Sequence, residues 1–158
     1  MNKFNVIISV LALTLSSCFD DDLETNAISF EDQLAIDLEA IDSYLDRNGI
    51  EALVHESAIR YTIQEEGSGE SAENSNRVTV KYKGTFFTGS VFDQNDQGIT
   101  FDLANLIAAW QIMIPEMNEG AKITIYAPSV WCYGPRGSGA VPPNTNLIFE
   151  MELIEVVN

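Results

Sequence analysis

"YGPRGSGAVPPNTNLIFEMELIEV", from Tyr133 to Val156, decides the fold. Its first half is a turn-forming stretch with three glycines and three prolines, which cannot continue a helix or a central strand. Its second half alternates: Leu147, Phe149, Met151 and Leu153 are apolar, while Glu150 and Glu152 face the other way. Successive strand residues point to opposite faces, so this period of two predicts a strand with one face on a core and one in water. A Gly/Pro-rich loop is thus held against a rigid strand, with the aromatic Tyr133 at its edge.

The same period recurs upstream. Residues 78–83, VTVKYK, alternate apolar and polar, and Gly84 is expected to end or kink that strand. Thr88-Gly89-Ser90 separates Phe86-Phe87 from Val91-Phe92, which predicts a hairpin. Residues 123–126, ITIY, alternate before Pro128, and 58–64 form a further short strand. Residues 65–76 are rich in glycine, serine and acids and read as a loop. The single helical stretch of this half is short, from Leu103 to Trp110. The economical arrangement is an α+β domain from residue 58 to 158, with one antiparallel sheet and a short helix across its apolar face.

Ahead of it, Phe30, Leu34, Leu38, Ile41, Tyr44 and Leu45 recur at helical spacing between a Ser29 N-cap and a Gly49 stop. This predicts one amphipathic helix in a segment from 29 to 57. Its stripe fits either the downstream domain or the same helix of a second copy, as a homodimer or a chaperone arm.

The chain begins MNKFNVIISVLALTLSSC, with Lys3 ahead of an apolar run too short to span a bilayer comfortably. That is the pattern of a removable secretory leader, residues 1–17. Leu15-Ser16-Ser17-Cys18 resembles the lipobox of bacterial lipoproteins, in which the cysteine is lipidated and anchors the mature chain to a membrane. Residues 18–28 would then be an acidic tether. Asp20, Asp21 and Asp22 fit a solvated tether, and they also resemble an export tag to the outer face of an outer membrane. The expected location is the cell envelope, as an outer-membrane lipoprotein on the periplasmic or exterior side.

Charge and rare residues narrow the chemistry. The chain carries 24 acidic and 8 basic residues, for a net charge of −16. Nucleic acid, which wants a basic surface, is therefore an unsuitable partner. One histidine, His55, and one thiol besides Cys18, Cys132, cannot build a multi-His or multi-Cys zinc site, and a Ser-His-Asp hydrolase is disfavoured. No metal or cofactor is expected. As bare residues, Tyr82, Phe92, Phe101, Trp110, Tyr133 and Phe149 fit a filled core, since aromatics dominate buried area in small domains. Several stand beside turns or at strand ends, where an apolar pocket is easier to form.

Four stretches in register, VTVKYKG, SVFDQ, FDLANLIAAW and CYGPRGSGAVPPNTNLIFEMEL, resemble the FKBP family of peptidyl-prolyl cis-trans isomerases from about residue 58 to 156. The resemblance implies a twisted antiparallel sheet wrapped around one short helix. It also implies isomerisation of X-Pro bonds in proline-containing polypeptides, here of envelope or secreted proteins, or else a catalytically weak peptide-binding or chaperone module on the same scaffold. Carried over, Trp110 is the floor of a proline pocket, with Tyr82, Phe92 and Phe149 as walls. Phe101, Leu106, Ile107 and Val141 complete the lining. Asp93 matches the pocket-edge acid, Tyr133 the hydroxyl that bonds substrate backbone, and the Ile107 amide the donor to a substrate carbonyl. Ala104 and Ala109 stand where the family often has glycine, and alanine at either would be strained if the backbone had positive φ. Trp131-Cys132 replaces a small aliphatic pair, and the loop from Tyr133 to Pro142 is a residue shorter than in some members.

Overall fold

The computed structural model describes residues 28–74 and 76–157. The leader, Cys18 and the acidic residues that follow it lie outside the described residues.

Helix α1 spans Phe30–Asn48 and has the ends the sequence predicts. Ser29 Oγ accepts the Asp32 N–H at 3.0 Å, satisfying one of the donors a helix leaves unpaired at its start. Gly49 stops it with φ 64°, a left-handed conformation that glycine adopts without penalty. Six strands follow: β1 Leu53–Val54, β2 Arg60–Glu65, β3 Arg77–Phe86, β4 Val91–Asp102, β5 Lys122–Ala127 and β6 Leu147–Val157. They form one sheet in the order β1-β2-β5-β6-β3-β4, each pair antiparallel.

In β6, Leu147, Phe149, Met151 and Leu153 are all buried in the main core with Val78, Val80 and Ile125. The alternation then reverses. Thr79 pairs with Glu155 and Val80 with Leu153, so Ile154 is an extra residue and Val156, of the opposite parity, turns inward. On the other face, Lys83 meets Glu150 at 3.4 Å and Lys81 meets Glu152 at 3.7 Å, cross-strand pairs that keep this surface solvated.

Two expectations need correction. β3 does not end at Gly84 but runs through it to Phe86. Gly84 is required for another reason: a Cβ there would lie 2.5 Å from the Phe92 ring. The pairing with β4 slips just beyond it, from Gly84↔Asp93 to Thr85↔Val91, which leaves Phe92 as a bulged residue over the glycine. The helix expected from Leu103 to Trp110 is instead a 3-10 turn, Leu103–Asn105, an extended Leu106 and Ile107, and then helix α2, Ala108–Met113. The Gln111 side-chain amide donates to the carbonyls of Leu106 at 2.6 Å and Ala104 at 3.2 Å. It thereby satisfies backbone acceptors that a continuous helix would have used.

Helix α2 covers the core face of the sheet through Ala109, Trp110 and Met113. Helix α1 lies on the opposite face, where Ile41 and Leu45 pack with Tyr126 and Ile148 in a second cluster. The predicted stripe is only half right. Along the first two turns the buried positions are Gln33 and Asp37, and Phe30 is 46% exposed.

Candidate functional site

Three strands, α2 and the segments beside it converge on a common hollow. β3 supplies Tyr82, β4 supplies Phe92, Asp93 and Phe101, and β6 supplies Phe149. Leu106 and Ile107 come from the extended break before α2, Trp110 from α2 itself and Tyr133 from the glycine-rich loop. These nine residues line a concavity of about 210 Å³. That is smaller than the ~300–1,000 Å³ typical of sites for drug-sized ligands and suited to one small ring.

Trp110 is the floor. Its indole is only 4% exposed, and three rings meet it nearly edge-on: Tyr82 at 5.0 Å, Phe149 at 5.6 Å and Phe101 at 6.2 Å between centroids. Phe92 stands against Phe149 at 5.7 Å. Such T-shaped pairs place ring edges on ring faces and fix the walls relative to one another. The indole Nε1 is buried without a protein hydrogen-bond partner.

The rim is polar. Tyr82 donates its hydroxyl to Asp93 Oδ2 at 2.7 Å across the β3–β4 pair. Burial, and then the hydrogen bond and charge of Asp93, push the Tyr82 phenol well above its ordinary value, so it remains a neutral donor. Burial likewise raises the Tyr133 phenol, with Cys132 and Asp93 adding to the effect. Ile107 is the N-cap of α2: its carbonyl accepts the Trp110 and Gln111 N–H groups, and its own N–H lies outside the helical ladder.

Other residues fall outside the hollow. Val141 does not line it; at 6% exposure it belongs to the core and closes a tight turn with Ser138, its N–H donating to the Ser138 carbonyl at 2.8 Å. A branched apolar side chain ahead of Pro142 is better satisfied in the core than at a rim. Trp131 points away from the hollow, its Nε1 donating to the Ser57 carbonyl at 3.0 Å and its ring meeting Phe30 at 5.1 Å. Burial raises the Cys132 thiol, the reverse of what a nucleophile needs. Ser57 Oγ lies 2.8 Å from His55 Nδ1, but the Ser57 N–H donates to that same nitrogen at 3.0 Å, which makes a local turn. Neither Ala104 nor Ala109 has positive φ, since among the described non-glycine residues only Ala58 and Asn144 do. Alanine at both positions is therefore unstrained.

Sequence reasoning missed three contributors. Gln111 braces the segment carrying Leu106 and Ile107, and Gly84 makes room for Phe92. Asp37 holds the root of the Tyr133 loop through hydrogen bonds to Ser129 Oγ at 2.7 Å and Val130 N at 3.3 Å. The glycine was visible but misread; the two polar residues carry no signal without their partners.

Comparison with known proteins gives a consistent result. The family model for FKBP-type peptidyl-prolyl cis-trans isomerase matches residues 68–154, more than half of the chain. The Escherichia coli K12 protein named FKBP-type peptidyl-prolyl cis-trans isomerase FkpA is 34% identical over 99 residues, 61% of this chain and 37% of the relative. The outer membrane protein MIP of Legionella longbeachae is 35% identical over 104 residues, 63% of this chain and 45% of the relative. The chain thus spans less than half the length of these relatives. A crystal structure of a peptidyl-prolyl cis-trans isomerase from Pseudomonas syringae pv. tomato superimposes with a TM-score of 0.69 at 31% identity, covering 78% of this chain and 96% of that one.

Proposed function

Because the chain belongs to the family of FKBP-type peptidyl-prolyl cis-trans isomerases, we propose that its aromatic bowl binds the proline ring of a polypeptide and accelerates rotation about the preceding X-Pro bond. The observation that carries this reading is the convergence of Tyr82, Phe92, Phe101, Trp110 and Phe149 from four separate elements on a hollow of proline size.

The reaction breaks no covalent bond. Rotation must overcome amide resonance, a barrier of ~18–20 kcal/mol, which leaves uncatalysed exchange at tens to hundreds of seconds. The pyrrolidine ring would lie on the Trp110 indole between Tyr82, Phe92 and Phe149. Water is excluded there, and the polar resonance form that keeps the amide planar loses solvation. The Tyr133 hydroxyl and the Ile107 N–H would hold the flanking substrate carbonyls, and Asp93 orients Tyr82 at the rim. Only binding stronger in the twisted amide than in the planar one raises the rate. No nucleophile or metal takes part in this scheme.

The setting is proposed on separate grounds. The leader-like start, the lipobox-like Leu15-Ser16-Ser17-Cys18 and the outer-membrane name of the Legionella relative support an envelope lipoprotein acting on envelope or secreted proteins. The domain division follows from the same reading: leader 1–17, tether 18–28, helical segment 29–57, isomerase domain 58–158.

The test is isomerisation of a short X-Pro peptide by the chain. Acceleration is expected, falling by about 30-fold in Phe92→Ala, as truncation of a well-packed binding aromatic worth some 2 kcal/mol implies. A folded protein that binds the peptide without accelerating exchange would instead indicate a peptide-binding module.

A further inference from the structure

Asp37 is 2% exposed and sits in the middle of α1. A buried carboxylate is costly unless donors surround it. Three do: Gln33 Nε2 at 2.9 Å, Ser129 Oγ at 2.7 Å and Val130 N at 3.3 Å. Two of the donors open the 3-10 turn Ser129–Trp131, so Asp37 caps that turn from another element. The Asp37 backbone carbonyl also accepts Asn146 Nδ2 at 3.2 Å, and Asn146 Oδ1 accepts the Ser129 N–H at 2.9 Å. One residue of α1 therefore ties together both ends of residues 129–146, the loop that carries Tyr133 to the bowl.

We propose that Asp37 is a positioning residue of the site: through Ser129 and Asn146 it fixes the Tyr133 loop in the conformation that grips substrate backbone. The assignment rests on the functional reading above. Asp37 precedes residue 68, where the family match begins, so α1 adds this brace from outside the matched domain. Helix α1 is separately clasped to the sheet by Asp42, whose two oxygens receive Arg60 Nε and Nη2, each at 2.9 Å. That pair does not touch the loop and serves as the control.

The experiment compares Asp37→Asn, Ser129→Ala, their combination and Asp42→Asn in the full chain, reading KM and kcat on an X-Pro peptide together with thermal unfolding. A Tyr133 hydrogen bond made equally to the planar and the twisted amide contributes uniform binding, so under this assignment a loosened loop is expected to raise KM before it lowers kcat. Asp37→Asn and Ser129→Ala are each expected to lower kcat/KM about tenfold, the scale of one charge-assisted hydrogen bond, mainly through KM. The combination should be no worse than either alone, because both break one linkage. Asp42→Asn should lower the melting temperature and leave KM unchanged. Folded Asp37→Asn and Ser129→Ala proteins with wild-type KM would overturn the assignment, as would an equal KM change in Asp42→Asn. If Asp37→Asn does not fold, Ser129→Ala alone decides. If the wild type does not accelerate exchange, the isomerase reading fails on its own. The brace is then judged by amide hydrogen exchange at Cys132 and Tyr133, expected to quicken in Ser129→Ala; unchanged exchange would overturn it.

Discussion

The chain has two tryptophans, one lining the bowl and one outside it, in opposite conditions. Trp110 lies beneath Tyr133 at the bottom of the bowl, touched by three rings, its Nε1 without a partner. Trp131 lies at the root of the loop, outside the bowl, its Nε1 bonded to the Ser57 carbonyl and its ring against Phe30 of α1. Trp110 leaves open space above its ring, whereas Trp131, outside the bowl, has satisfied its donor and meets Phe30 edge-on. Satisfied groups hold a loop still, whereas a pocket must leave apolar surface uncovered for a ligand.

The largest effect should come from emptying the binding side. Trp110→Ala removes the floor and leaves a cavity in the core, and is expected to cost about 3–5 kcal/mol in denaturant unfolding and to abolish isomerisation. A well-folded, active variant would erase the distinction between the two tryptophans. Next comes Gly84→Ala, whose methyl group must displace the Phe92 ring. Overpacking of this kind costs about 1–3 kcal/mol, and peptide binding should weaken with it; a crystal structure showing Phe92 unmoved would contradict the account. Trp131→Phe should have the smallest effect. It keeps the ring against Phe30, loses one hydrogen bond and lowers unfolding free energy by about 1 kcal/mol, with kcat within about twofold of wild type. A larger kinetic loss than Gly84→Ala would move Trp131 from scaffold to site.

The sheet was legible in the sequence because its parts obey local rules, and the bowl only through the family resemblance. Alternation in VTVKYK and LIFEMEL sets which side chains face inward, and the loop glycines and prolines mark where the chain turns. Nine of the ten pocket residues expected from the family pattern line the hollow; Val141 does not, because the tight turn with Ser138 draws it into the core. The brace was not legible. Helical periodicity finds apolar faces, so it reads Ile41 and Leu45 correctly and passes over Gln33 and Asp37. The Asp37 carboxylate is satisfied by donors 92 and 93 residues downstream, at Ser129 and Val130, and Gln33 is buried against Asp37 itself. Nor does a helical pattern reveal that Gln111 will interrupt it by capturing the carbonyls of Ala104 and Leu106.

The most direct test of the central claim uses the two indole N–H resonances as paired reporters. The 15N-labelled chain is titrated with a short X-Pro peptide and both indole signals are followed by NMR, with nuclear Overhauser contacts sought from the proline ring protons. The Trp110 signal should shift saturably and show contacts to the pyrrolidine ring, while the Trp131 signal, held by Ser57, stays in place. A saturable shift confined to Trp131, or peptide binding with neither indole affected, would contradict the assignment of the aromatic bowl as the proline site.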